Sequence, residues 1–309
     1  MVYENETASQ ISFPLGGIGT GCIGLAGNGR LVDAEIFNKP NKGSNMKFSH
    51  FAVKAEKAGT VVDSRVLNGD APPPYTGSFR NGIYAAFGSG VDRTALSGLP
   101  HFRNCRFTGE FPIAKLDFSD DKFPAKVSLT AFNPFVPSDE LNSSIPAAFF
   151  TVEFTNDSPE VLEYTAALSA ANMYAKGGGL HSFCVDNGKT SVFLSGDGDK
   201  NEIGGGDVTI ATDAVGARCQ LYWYRGNWYD NLAVYWMDFT SPGQIRQREY
   251  ESAESGRDDV ATLAASVTLA PGETGSLRFV LSWSCPVVTN YWNPEDCGCD
   301  CDCKPAAWK

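Results

Sequence analysis

The sequence predicts an all-β protein: a large two-sheet β-sandwich with one or two short helices in its connections. Three observations predict it. Stretches alternating apolar and polar residues recur along the chain, as in Val127, Leu129 and Ala131 set against Lys126, Ser128 and Thr130. That is the period-2 pattern of a half-buried strand. Turn-forming clusters separate such stretches, among them Asn156-Asp157-Ser158-Pro159-Glu160 and Ala270-Pro271-Gly272-Glu273-Thr274-Gly275, rich in the residues that turns require. Only one segment carries helical spacing, and many short strands with few helices build a sandwich rather than an α/β fold.

The N-terminal elements come first. Phe13-Pro14-Leu15-Gly16-Gly17-Ile18-Gly19-Thr20-Gly21-Cys22-Ile23-Gly24 places five glycines in nine positions, so something packs closely against this backbone. Pro14 is expected to interrupt the strand before it. Leu31 to Phe37 and Phe48 to Lys54 read as short strands around a polar loop, Asn38 to Asn45. Pro72-Pro73-Pro74-Tyr75 is a stiff connection, because successive prolines cannot join a ladder. Tyr84 to Gly98 reads as a long loop or hairpin tip.

Glu110 to Phe118 alternates around one irregularity, and Asn133-Pro134-Phe135-Val136-Pro137 ends the strand centred on Leu129. Ala147 to Thr155 and Val161 to Ser169 flank the Asn156 turn and predict an antiparallel hairpin. Further strands are expected at Ser191 to Ser195, Asp207 to Thr212, Arg218 to Tyr224, Thr262 to Leu269 and Ser276 to Ser284. In the last of these, Leu277, Phe279, Leu281 and Trp283 share a face. Trp228, Leu232, Tyr235, Trp236 and Phe239 recur at three- and four-residue intervals, the spacing of one helix face, and Ser241-Pro242-Gly243 stops that helix. There is no repeat at a fixed period and no obvious domain linker.

At 309 residues the chain can bury a large core. A net charge of -11 argues against nucleic-acid and anionic-membrane partners, which require a basic surface. The N-terminus lacks the basic start and apolar run of a secretory signal, and no apolar stretch approaches the ~20 residues of a membrane span. Of nine cysteines, Cys22, Cys105, Cys184, Cys219 and Cys285 lie among apolar or strand-like neighbours, as reduced thiols do. The expected location is cytoplasmic.

Candidate sites have structural alternatives that weigh more. Gly19-x-Gly21-x-x-Gly24 satisfies the dinucleotide-binding pattern, yet that motif needs a helix after it, and Ala26-Gly27-Asn28-Gly29 breaks one. A close-packed structural turn is favoured. Asp117, Asp120, Asp121, Asp139, Glu140, Asp258 and Asp259 are available as paired carboxylates, but all sit in polar turn contexts that suit solvated charge. His50, His101 and His181 have neither metal-ligand nor triad spacing. Tyr222, Trp223, Tyr224, Trp228, Tyr229, Tyr235 and Trp236 could offer flat faces to sugar rings, with core and interdomain packing the stronger alternative. Cys297, Cys299, Cys301 and Cys303 alternate, without the two-to-four-residue gaps of paired zinc ligands, which favours a thiol-rich loop over a metal site.

Five blocks in order resemble a known family: Phe13 to Gly24, Phe107 to Leu116, Val127 to Phe154, Trp236 to Phe239 and Phe279 to Trp292. Together they look like the N-terminal region of glycoside hydrolase family 116, the bacterial β-glucosidases and non-lysosomal glucosylceramidases. The resemblance implies an N-terminal β-sandwich domain over 1-295 and a Cys-rich linker over 296-309 leading toward an absent (α/α)6 catalytic domain. The family's glutamate nucleophile and aspartate acid/base belong to that second domain. No position here corresponds to either, so catalytic, cofactor and metal residues are all expected to be none. For the complete enzyme the resemblance implies retaining hydrolysis of β-glucosides, glucosylceramide-like ones included, without a cofactor. This chain would brace the catalytic domain, help shape its cleft and be inactive alone. A free-standing carbohydrate-binding module and one half of a split glycosidase remain as alternatives.

Overall fold

The computed structural model describes residues 1–70, 94, 96, 98–174, 179–196, 198–200, 202, 205–226, 230–250, 259–289 and 307–308. The expected Pro72 connection, most of the Tyr84 loop, Trp228, Tyr229, Asp258 and the cysteines at 297, 299, 301 and 303 lie outside the described residues.

In chain order the first strands are β1 (Val2–Glu4), β2 (Ser12–Leu15), β3 (Cys22–Ala26), β4 (Leu31–Glu35), β5 (His50–Lys57) and β6 (Thr60–Val66). Then come β7 (Asn104–Glu110), β8 (Ile113–Ser119), β9 (Ala125–Phe132), helix α1 (Glu140–Ser143), β10 (Ala147–Asn156) and β11 (Leu162–Ala171). The second half holds β12 (Gly179–Asp186), β13 (Lys189–Gly196), β14 (Asp207–Thr212), β15 (Arg218–Gln220) and helix α2 (Asn231–Phe239). It closes with β16 (Val260–Leu269), β17 (Thr274–Ser284), β18 (Val288–Thr289) and β19 (Ala307–Trp308).

A nine-stranded sheet runs β1-β7-β8-β9-β10-β17-β14-β13-β12, and a five-stranded sheet runs β15-β16-β11-β5-β6. A small third sheet, β2-β3-β4, holds the glycine-rich stretch, and β18 pairs with β19. All pairings between these strands are antiparallel. The fold class is the predicted one, a β-sandwich, with two short α-helices among the described residues.

The main core lies between the two large sheets. β8 shows how sequence sets it up: Ala114, Leu116 and Phe118 are buried while Ile113, Lys115, Asp117 and Ser119 are exposed, as a period-2 strand with one wet face requires. From the five-stranded sheet, Phe51 meets Phe150 of β10 at 5.1 Å and Phe279 of β17 at 5.7 Å, ring edges against faces. Burying one such ring stabilises the fold by roughly 2–3 kcal/mol.

The five-stranded sheet is buried on its back as well. Small residues there, Ala52, Ala167, Ala171 and Ala264, allow a second apolar layer to approach: Phe48, Trp223, Tyr235, Phe239 and Ile245. The polar residues of β5 lock this layer down. Lys54 pairs with Glu56 at 2.8 Å and donates to the carbonyls of Ser241 (3.0 Å) and Gly243 (2.9 Å). The Gly243 N–H donates back to Glu56 at 2.8 Å. The turn that stops α2 is therefore tied to the strand beneath it.

Two expectations are corrected. β10 and β11 are not a hairpin: β10 pairs with β9 and β17, and β11 with β5 and β16. The Asn156 turn carries the chain from one sheet to the other, a gap of ~10 Å that a five-residue connection spans easily. Asn156 is buried and pins this arch. Its Nδ2 donates to Glu160 O (2.8 Å) and Leu269 O (3.0 Å), and its Oδ1 accepts from the Tyr164 hydroxyl (2.9 Å). The β16–β17 connection is a second arch bonded to the first, with Gly272 N–H donating to Asn156 O at 2.9 Å. Second, Pro14 does not interrupt its strand. β2 is an edge of the small sheet, where a residue without an N–H is tolerated.

Candidate functional site

The glycine turn sits where the small sheet meets the ends of β9, β10 and β17. Gly16 N–H donates to Asn133 Oδ1 at 2.7 Å, and Asn133 Nδ2 donates to Pro14 O at 2.7 Å. Ile18 N–H donates to Ser143 O, and Trp283 Nε1–H to Thr20 O, at 2.8 and 2.7 Å. A Cβ at Gly17 would lie 2.5 Å from Ser144 C and 2.6 Å from Ile145 O. The turn runs directly into strand β3, which itself contains Gly24, so the motif opens a strand and not the helix that dinucleotide binding needs. Gly17→Ala is expected to cost about 1–3 kcal/mol by overpacking. Gly19 has open space and a left-handed φ of 75°, a conformation asparagine tolerates. Gly19→Asn is therefore expected to stay within about 0.5 kcal/mol of the parent, and urea midpoints of the two variants check the contrast.

The carboxylates do not share one environment. Asp117 is exposed beside Lys115 (3.1 Å), and Asp121 and Glu140 are exposed. Asp139 caps α1, accepting from Asn142 N–H at 3.0 Å. Two depart from the solvated surface role expected of them. Asp120 receives both Nη1 and Nη2 of Arg65, at 3.1 and 3.2 Å. Asp259 is 3% exposed and receives Arg225 Nε and Nη2, each at 2.8 Å, plus Gly179 N–H at 3.1 Å. Folding buries Asp259 and half-buries Asp120 because each has a guanidinium to neutralise it.

The aromatic cluster divides. Tyr222, Trp223 and Tyr235 are buried and Trp236 half-buried, with Trp223 stacked on Tyr235 at 3.9 Å. Packing accounts for these four. Tyr224, 40% exposed, keeps a face in solvent. The histidines are structural in their contacts. His50 and His181 are buried, and His181 stacks on Tyr222 at 4.4 Å. His101 Nε2 lies 2.7 Å from Asp70. No group of three or more His, Cys, Asp or Glu suited to a metal ion occurs among the described residues.

The outer face of the nine-stranded sheet carries an apolar band. Ile113, Phe132, Phe149, Val280 and Ala211 are cross-strand partners in one row over five strands. Phe132 and Phe149 stack at 5.0 Å, and Phe111 meets Phe135 at 5.4 Å. Phe111 and Ile113 are 56% and 51% exposed. Further along β8 and β17 the same face turns polar, with Lys115, Asp117 and Arg278. Contiguous exposed apolar surface of this kind marks an interaction site. The band ends at the 133–146 connection that holds the glycine turn, where Ile18 and Leu141 are also exposed.

A family model described as beta-glucosidase 2, glycosyl-hydrolase family 116 N-term, matches residues 12–300. The chain belongs to this family. No curated protein sequence matches it. Solved structures similar to the chain include a polysaccharide lyase, at 9% identity and a TM-score of 0.34. A putative kojibiose phosphorylase from human microbiome is similar at 10% identity and a TM-score of 0.38. Each match covers 92% of this chain and 32% of the other, so the chain spans about a third of those proteins.

Two features of this family 116 N-terminal domain were missed by sequence reasoning. The Arg225–Asp259 clamp joins residues 34 apart, with no local signal. The apolar band did have one. Phe132 falls in phase with Lys126, Ser128 and Thr130, so the alternation that buries Leu129 must turn Phe132 outward.

Proposed function

We propose that this chain is the non-catalytic N-terminal β-sandwich of a retaining β-glucosidase or glucosylceramidase, bracing an (α/α)6 catalytic domain and helping shape its cleft. The observation that carries the reading is the family match across residues 12–300. In this reading residues 1–295 are the sandwich and 296–309 the linker toward the catalytic domain. The apolar band supports a docking face for that domain, since water-exposed phenylalanine rings gain by burial against a partner. The glycine turn borders the band, which supports its place beside the cleft. No helix among the described residues is long and apolar enough to cross a membrane. The unpaired thiols of Cys22, Cys105, Cys184, Cys219 and Cys285 support a reducing, cytoplasmic location.

The test is turnover of an aryl β-glucoside. The 309-residue chain alone is expected to give none above a mock preparation, and measurable turnover overturns the reading. Docking is tested separately by titrating the chain with a family 116 catalytic domain produced on its own. Phe132→Asp with Phe149→Asp is expected to weaken association about tenfold or more, since a charge against an apolar patch costs upwards of 1.4 kcal/mol. Unchanged affinity, with the variant folded, places the interface elsewhere.

A further inference from the structure

On the opposite side of the sandwich from the apolar band, outside the layer that covers the five-stranded sheet, lies a cleft of about 410 Å³. It is lined by Tyr224, Val234, Arg246, Arg248, Glu249 and Tyr250. These alternate in sequence with side chains that build the buried layer. Trp223, Tyr235 and Ile245 point in, and their neighbours Tyr224, Val234 and Arg246 line the cleft.

The walls are held rigidly. Tyr250 has its ring 4.5 Å from the Arg225 guanidinium carbon and edge-on to Tyr222 at 5.5 Å, and its hydroxyl accepts from Arg225 N–H at 3.1 Å. Asp238 takes both Nη1 and Nη2 of Arg248 and also accepts from Gln220 Nε2 at 3.0 Å. Gln220 in turn donates to the Arg246 carbonyl at 2.6 Å, which fixes the rim of the cleft. Two lining side chains are left over. Among the described residues, neither the Arg246 guanidinium nor the Glu249 carboxylate has a hydrogen-bond partner, and both are exposed.

The chemistry selects a ligand class. Asp238 has neutralised Arg248, and Arg246 and Glu249 carry opposite charges, so the free groups sum to zero. An anion would gain from Arg246 and lose to Glu249. A polyol uses both, donating hydroxyl protons to the carboxylate and accepting from the guanidinium, while its C–H face lies on a tyrosine ring. The volume falls within the range of small-molecule sites. We propose that this cleft binds neutral pyranose units of an oligosaccharide. Because it faces away from the apolar band, a domain docked on that band leaves it open.

The experiment titrates the 309-residue chain with cellotetraose, laminaritetraose and maltotetraose by calorimetry, with tetragalacturonate as the anionic comparison. At least one neutral tetrasaccharide is expected to bind, and Tyr224→Ala and Glu249→Gln are each expected to weaken it about tenfold, the scale of one aromatic or charged contact. Both residues are exposed, and unchanged urea midpoints check that the variants are folded. No heat from any neutral tetrasaccharide at about 10 mM, far above a millimolar Kd, overturns the proposal. Binding that neither variant weakens overturns it too, as does equal or tighter binding of the galacturonate. Since catalysis plays no part in these readouts, failure here leaves the brace reading standing, and failure of the brace reading leaves this site standing.

Discussion

Asp259→Ala is expected to destabilise the chain by about 3–5 kcal/mol, because it breaks a buried ion pair by removing one partner. The Asp259 and Arg225 side chains are 2% and 4% exposed. The guanidinium packs against both the ring of Tyr222 (4.8 Å) and the ring of Tyr250 (4.5 Å), cation–π contacts that add to its ion pair with Asp259. The same carboxylate holds Gly179 N–H at the start of β12, while the Asp259 carbonyl accepts from Asn172 N–H at 2.8 Å. One residue thus ties the end of β11, the start of β12 and the 221–226 segment together. Urea unfolding measures the loss. The companion Arg225→Met/Asp259→Ala chain distinguishes a broken ion pair from a lost brace. Removing both partners of a buried pair is often close to neutral, so the double variant should recover most of the single variant's loss, a coupling that a double-mutant cycle isolates. A single-variant loss below about 1 kcal/mol would show that the pair is not desolvated as its burial implies.

How much of the fold the sequence reveals depends on which faces of a strand meet water. β8 and β9 each have one wet face, so their alternation stands out in sequence and their registers are legible. β5, β11 and β16 have two buried faces. His50-Phe51-Ala52-Val53-Lys54-Ala55-Glu56 puts its polar residues into a second interior, where Lys54 and Glu56 neutralise one another, and this layering is not visible in the pattern. The Asn156 turn was legible as a turn but not as an arch, because turn chemistry does not say which sheet the next strand joins. β6 and β12 were not anticipated. The site suffers from the same limits. The glycine turn was read correctly as packed backbone because its surroundings excluded a helix. Asp259 was misread as solvated because its neutraliser, Arg225, comes from a distant segment.

His50 is the second large effect, and it is pH-dependent. The ring lies under the second layer, with Nδ1 2.7 Å from Phe48 O and Nε2 3.1 Å from the Tyr235 hydroxyl. A neutral ring satisfies both contacts: Nδ1–H donates to the carbonyl and Nε2 accepts from the tyrosine. Beyond Tyr235 the polar neighbours are Ser169 and Thr262, bonded to each other at 2.8 Å, and the nearest cation on this face of β5, Lys54, is neutralised by Glu56. Among the described residues no carboxylate adjoins the ring to stabilise a proton. Burial therefore pushes the His50 pKa down, from 6.5 to about 4. The unfolded chain binds the proton first, so stability is fully present above pH 6.5 and is lost progressively as pH falls toward 4. The loss amounts to about 3 kcal/mol for a shift of this size. Burial lowers the His181 pKa as well, adding in the same direction. Carboxylates also titrate in this window, so the informative quantity is a difference. His50→Gln is expected to be less stable than the parent at pH 7, because it repacks a filled site, and to lose less stability on acidification. The gap between the two chains should therefore narrow by about 2–3 kcal/mol between pH 7 and pH 4.5, read from urea unfolding at each pH. Parallel curves would mean that the His50 proton is not what acid uses to open this layer.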